Sequence, residues 1–212
     1  VVALAVLSGA TDAIGLMALG GAFTSVMTGN LVILGASASD TDGALAIAAG
    51  GAILAFCAGA ALGARIAGSP EAGDPVWPRA VTAALAVEFV LFAGFAVGWW
   101  AAGADPGQVL RHVLLFALAA ALGIQSSTVQ RFGVSGLSTT YLTGTLTTVV
   151  IRLASGRGLR EVRGSVQILL GLVVGAAAGT ALLLVSPMAT PALPLTALAA
   201  VLLVAVVVAR RR

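Results

Sequence analysis

The chain has 212 residues, of which 59% are hydrophobic and only 9% charged, against about 25% charged in soluble domains. That excludes an ordinary soluble domain and marks an all-α integral membrane protein whose first partner is the lipid bilayer. The net charge of +3 comes from arginines, with no lysine; they gather at segment ends, as membrane topology requires, so a nucleic-acid partner has no support.

A helix needs about 20 apolar residues to cross a bilayer. Candidate spans run over residues 1–38, 44–67, 80–102, 109–154, 165–185 and 193–209. The first lacks a basic start and continues into further hydrophobic sequence, so it reads as a span and not a signal peptide. The first and fourth are about twice the length of one crossing. Each contains a polar stretch, "FTSVMTGNLVILG" from Phe23 and "STTYLTGTLTTVV" from Ser138. Each therefore reads as a helix, a break near mid-membrane and a second, shorter helix. Cys57 is the sole cysteine; it permits no disulfide within one chain and no cysteine metal site. No cofactor is expected.

The arginines orient the spans. With one net crossing per long segment, Arg65, Arg79, Arg152, Arg157, Arg160, Arg163 and Arg210 to Arg212 share one side, and Arg111 lies opposite. The arginine-rich side should be the cytoplasm, with both termini inside and six net spans. If each long segment crossed twice, Arg65 and Arg79 would lie outside with Arg111 inside, a slightly poorer distribution with eight segments.

A shift of 115 residues aligns Ser8–Leu31 with Gly123–Leu146. Gly21 then meets Gly136, Thr24 meets Thr139, Thr28 meets Thr143, Gly29 meets Gly144 and Leu31 meets Leu146, while Ser25 meets Thr140, Asn30 meets Thr145 and Asp12 meets Ser127. One residue further in register, Gly59 and Gly63 meet Gly175 and Gly179, small-residue faces suited to close helix packing or to a homodimer contact. The chain thus reads as one membrane domain of two repeats, about 1–102 and 108–210. Three net crossings per repeat make them inverted, as in many secondary transporters.

Non-helical backbone at membrane depth is tolerated only where protein or a water-filled cavity satisfies it. Gly20 and Gly21, and Gly133 with Gly136, would end the first helix of each unit. Thr28 and Thr143 would cap the second helices, whose N–H groups would then face a shared centre suited to an anion or a substrate carboxylate. The expected binding residues are Asp12, Thr24, Ser25, Thr28, Gly29, Asn30, Gln125, Arg131, Thr139, Thr140, Thr143, Gly144 and Thr145. Asp12, Glu88 and Arg131 are ionisable groups inside apolar segments, and such groups mark functional sites by default. In this reading Arg131 helps to hold an anion, and Asp12 or Glu88 carries a coupling proton. The structural alternatives are an Asp12–Arg131 pair, or Arg131 reaching to an interface, with threonines that only join helices. Trp77, Trp99 and Trp100 would mark interfaces.

The segment "GVSG" at Gly133 matches the nucleophile motif of rhomboid intramembrane proteases. A serine nucleophile needs a base within hydrogen-bond reach, and the single histidine, His112, precedes Ser135 by about 30 Å of helix. An enzyme is not expected.

Gly9, Asp12, Ala13, Gly20, Gly21 and Met27-Thr28-Gly29-Asn30 resemble the opening pattern of the YoaK-like bacterial membrane proteins, as do Gln125-Ser126 and Thr143-Gly144. The resemblance spans nearly the whole chain. It implies a multi-pass bacterial inner-membrane protein and supplies no activity. The expected function is a small transporter or channel for a small solute, with its site between the two broken segments. The alternative is an assembly or regulatory protein whose polar stretches only pack helices.

Overall fold

The computed structural model describes residues 1–40, 42–69, 77–131 and 142–210. Among the described residues, eight α-helices follow in order: α1 Val2–Ala18, α2 Met27–Asp40, α3 Gly43–Ala67, α4 Arg79–Ala101, α5 Gln108–Gln130, α6 Leu142–Ala154, α7 Leu159–Val185 and α8 Ala192–Arg210. Five stretches are long and apolar enough to cross a membrane: Gly43–Ala67, Arg79–Ala101, Gln108–Gln130, Leu159–Val185 and Pro187–Ala205. The chain is thus an all-α, multi-span membrane protein. α1 has 17 residues and α6 has 13.

The apolar surface divides cleanly. Phe92, Phe95, Trp99, Leu115, Leu118 and Leu122 form a buried core with Leu7 and Ile14. Leu54, Val90, Val173 and Leu203 stay exposed, as lipid-facing side chains should. Because lipid is as apolar as leucine, burial alone does not join such helices; close van der Waals packing does. The glycines supply it. A Cβ on Gly59 would fall on the Ala120 carbonyl, one on Gly63 against Ile124, and one on Gly123 on the Phe56 carbonyl. α3 and α5 therefore run parallel with their backbones in contact. The same relation joins α1 and α7: Gly175 lies on Val6, Gly179 on Ala10, and Gly9 on Leu172.

These contacts match one for one. Positions 6, 9 and 10 of α1 correspond to 120, 123 and 124 of α5, each 114 residues on; positions 56, 59 and 63 of α3 correspond to 172, 175 and 179 of α7, each 116 on. The α3/α7 shift is the one read from the sequence. The first-helix shift is one residue shorter than the 115 that aligns the polar stretches, so Asp12 corresponds to Ser126 and not to Ser127.

The remaining directions follow from neighbouring contacts. α4 and α5 are antiparallel, with Gly98 against Leu114. α1 is antiparallel to α5, with Gly15 near Leu115 and Ser8 bonded to Gln125. Trp99 and Trp100 donate their indole N–H groups to the carbonyls of Pro187 and Met188, both at 2.8 Å. They fasten the end of α4 to the α7–α8 turn. Trp99 is therefore a buried tie, while Trp100 stays exposed.

This packing predicts a graded response to added methyl groups. Gly59→Ala and Gly175→Ala should each lower detergent-solubilised stability by about 1–3 kcal/mol, the usual cost of overpacking. Gly94→Ala, where a Cβ meets nothing within 4 Å, should be neutral or slightly stabilising. Equal melting temperatures for all three would reject close glycine packing as the source of stability.

Candidate functional site

The first broken segment is the best-defined polar feature. α1 ends at Ala18, and Gly20 and Gly21 take φ of 117° and 82°, a left-handed region that glycine enters without strain. The chain reverses there and runs back along α1. A Cβ on Gly15 would meet the Ala22 carbonyl, and one stage deeper Thr24 and Ser25 reach Asp12. The retreat from Ala18 to Asp12 covers about 9 Å of helix. α2 then starts at Met27 and runs back toward the end of the bundle where α1 stops, passing Gly50 of α3 with Leu34 before the short link to α3.

Asp12 holds this fold-back. Its Oδ1 accepts from the Thr24 N–H at 2.8 Å, the Thr24 hydroxyl at 3.0 Å and the Ser25 N–H at 2.7 Å. Its Oδ2 accepts from the Ser25 hydroxyl at 2.5 Å. All three residues are buried. Four donors converge on this one carboxyl, and two of them are backbone N–H groups that no helix reaches.

Asn30 closes the segment from the other side. Its Nδ2 donates to the Phe23 carbonyl at 2.7 Å, and its Oδ1 accepts from the Phe23 N–H at 2.8 Å. This pairing needs both a donor and an acceptor, which only an amide side chain supplies in that geometry. Gly29 leaves room for the Phe23 ring, which a Cβ would approach to 3.1 Å.

Residues 1–208 match the family described as "Protein of unknown function (DUF1275)". The chain belongs to the DUF1275 family. It is similar to the UPF0700 transmembrane protein YoaK of Bacillus subtilis (strain 168), with 33% identity over 148 residues. That match covers 69% of this chain and 63% of the relative, so it spans less than two thirds of the relative's length. No solved structure matches the chain. With its membrane-crossing helices, this DUF1275 protein is a multi-pass protein of the bacterial inner membrane.

The other expected site residues of this DUF1275 protein fall in several places. Thr28 lies inside the first turn of α2 and is exposed, and Thr143 stands likewise in α6; neither is the N-cap expected from the sequence, because each helix starts one residue earlier. Met27 is likewise helical, so the first non-helical stretch ends at Val26. Gly144 is exposed with open space where a Cβ would sit, while Thr145 is buried. The expected second break, with Thr139, Thr140 and Ser135, lies outside the described residues. Arg131 follows the last residue of α5, close to Gly68 at the end of α3. It is not paired with Asp12, which is fully engaged by Thr24 and Ser25. His112 stacks on Phe116 with ring centroids 6.1 Å apart and faces Gly20.

Two carboxyls thus have opposite surroundings. Asp12 is surrounded by donors. Glu88, on the buried face of α4, has neither carboxyl oxygen hydrogen-bonded among the described residues. Gln125 of α5 donates its Nε2 to the Ser8 hydroxyl at 3.0 Å, and its Oε1 is left without a partner. A cleft of about 290 Å³ opens at the far end of α1, lined by residues including Met17, Trp99, Asp105, Arg111 and Leu183. It lies apart from both carboxyls. The Asp12–Ser25 bonds and the Ser8–Gln125 bond were not read from the sequence. The serines give no signal there, because small hydroxyl residues are common at membrane helix contacts.

The fold-back yields a direct test. Asp12→Ala removes four hydrogen bonds and should cost about 3–5 kcal/mol, toward the upper end of single-residue effects. Asn30→Asp loses the donor to Phe23 and should cost about 1–3 kcal/mol. Both should speed amide exchange at Thr24 and Ser25 more than at residues of α4. Unchanged exchange at Thr24 in the Asp12 variant would show that another group holds the segment.

Proposed function

We propose that the protein is a small secondary transporter or channel for a small carboxylate-bearing or other anionic solute. In this reading it makes six net crossings as two inverted three-span repeats, each opening with a segment broken near mid-membrane. Several observations support that arrangement. α1 runs parallel to α7 and antiparallel to α5, α3 runs parallel to α5, and each first helix packs on the glycine-faced helix of the other repeat. Reversing direction between matched helices is what an inverted repeat requires. The ends of α3 and α5 that carry Arg65 and Arg131 then share one side with both termini, which the arginine distribution assigns to the cytoplasm. Arg111, paired with Asp105 at 2.9 Å, sits at the opposite end.

The observation that carries the reading is the Asp12 carboxylate seated on the backbone and hydroxyl donors of Thr24 and Ser25. Non-helical backbone within a membrane protein is kept only where protein or a water-filled cavity satisfies it, and this segment is satisfied by forming a cradle around a carboxyl. In the second repeat, the position matching Asp12 is Ser126. No internal carboxylate stands there. We assign that half as the place where a solute carboxylate takes the role that Asp12 plays in the first, with Gln125 beside it on α5.

The same hydrogen bonds favour one competing reading, an assembly or regulatory protein, because Thr24, Ser25 and Asn30 are all satisfied within the chain. The two readings separate by experiment. Thermal unfolding of purified protein should be followed with sodium salts of small mono- and dicarboxylates against sodium chloride at equal ionic strength. A carboxylate should raise the melting temperature of the wild type, and Ser126→Asp, which supplies an internal carboxylate, should lose that protection while remaining folded. Absence of protection by every anion, or equal protection of Ser126→Asp, would favour the assembly reading.

A further inference from the structure

We infer that Glu88 is a buried proton-binding site, whose bound proton lets Glu88 donate a hydrogen bond to Gln125 Oε1. The argument begins with unmatched atoms. Glu88 Oε1, Glu88 Oε2 and Gln125 Oε1 are buried, unpartnered and all acceptors. Acceptors cannot satisfy one another, and each one left alone in an apolar interior is costly. One proton on Glu88 changes this. It turns a carboxyl oxygen into a donor and satisfies two orphaned atoms with one bond.

The helix register places these groups together. α4 and α5 are antiparallel, with Gly98 against Leu114 and near Leu110. Ten residues from Gly98 back to Glu88 and about as many forward along α5 cover the same length, about 15 Å. Glu88 therefore lies level with the turn around Leu122. Side chains on a helix lean toward its N-terminus, so Glu88 leans along α4 in the direction of Gln125, and Gln125 leans along α5 in the direction of Glu88. Both stand on the buried faces of their helices.

The helices packed on α4 bring no other titratable group to this level among the described residues. α5 carries Arg111 and His112 near its start, with Arg131 just past its end. On α3, Cys57 and Arg65 are exposed. α8 carries arginine only at its C-terminal end. Asp12 of α1 is taken up by Thr24 and Ser25. A cationic partner for an ionised Glu88 is thus missing from these helices.

The bond would complete a chain from α4 to α1: Glu88 O–H to Gln125 Oε1, then Gln125 Nε2–H to Ser8 Oγ at 3.0 Å. Ser8 lies one helical turn before Asp12, on the helix that holds the fold-back. Loss of the proton would remove the first bond and leave an unpaired charge at the α4–α5 contact. Use of this proton as the coupling ion rests on the transport reading above; its presence does not.

Infrared difference spectroscopy of the purified protein in D2O tests the site without any cargo. Wild type minus Glu88→Gln should show the C=O stretch of a protonated carboxyl. Glu88→Gln should melt with the wild type, since its amide N–H can replace the donated bond. In Gln125→Leu, the carboxyl band should move to higher frequency as the hydrogen bond is lost. A band that persists across mildly acidic and neutral pH and is indifferent to added sodium chloride supports a proton site. Carboxylate bands in place of the protonated band overturn the proposal, as does disappearance of the protonated band on adding sodium, which would make the site a sodium site. An unchanged band in Gln125→Leu would overturn the hydrogen bond to Gln125. Should Glu88→Gln fail to fold, the wild-type pH series and the Gln125→Leu spectrum decide the same question.

Discussion

Asp12 determines how the first third of the chain can fold. Once α1 stops at Ala18, the next residues carry backbone N–H groups that no helix and no bulk water reach. In a bilayer each such group must find an internal acceptor. One carboxylate takes the N–H groups of Thr24 and Ser25 together with both hydroxyls. The chain can therefore turn at Gly20 and Gly21, retreat along α1 and start α2 beside it. Without that acceptor, the inexpensive course for this sequence would be continuous helix.

The glycine contacts place this arrangement within the bundle. Gly9 of α1 lies on α7, while Gly15, about 120° further round the helix, lies against the retreating segment. A helix with bulky residues on both faces could not hold a neighbouring backbone on one side and a fold-back on the other. Asn30 then fixes α2 to Phe23, so the break is anchored at both ends by side chains of opposite chemistry: a carboxylate that only accepts, and an amide that does both. The hydrogen bonds that make this segment a possible ligand cradle are the same ones that make it stable.

Much of this was legible in the sequence, and what was missed has a physical cause. The surplus length of the first segment and the Gly20-Gly21 pair mark a break, because a membrane helix has a fixed length and glycine has unusual conformational freedom. Gly59, Gly63, Gly175 and Gly179 mark a tight helix face for the same kind of reason. The partner of Asp12 was not legible. A charge within an apolar run suggests an opposite charge, and Arg131 was the available candidate; the actual partners are backbone groups twelve and thirteen residues later, brought near by a reversal whose depth no periodicity encodes. Thr28 reads as a cap because threonine is a common one, yet α2 already begins at Met27, which puts Thr28 inside its first turn. Asn30 reads as a site residue on polarity alone, and polarity does not separate a ligand group from an internal clamp.

The difference between the two halves bears most directly on function. Packing matches α1 to α5 and α3 to α7 contact by contact, so the backbone is closely duplicated there. The polar chemistry is not. Ser126 stands where the first half has Asp12, and Thr145 where it has Asn30. A hydroxyl can neither provide a charge nor make the two-bond amide pairing. If matched packing served stability alone, the Asp12 and Asn30 pair would be as useful at positions 126 and 145. Its restriction to one half fits a division of roles under the transport reading. In that reading the first half is fixed by its own carboxyl, and a solute carboxylate would take the corresponding position of the second.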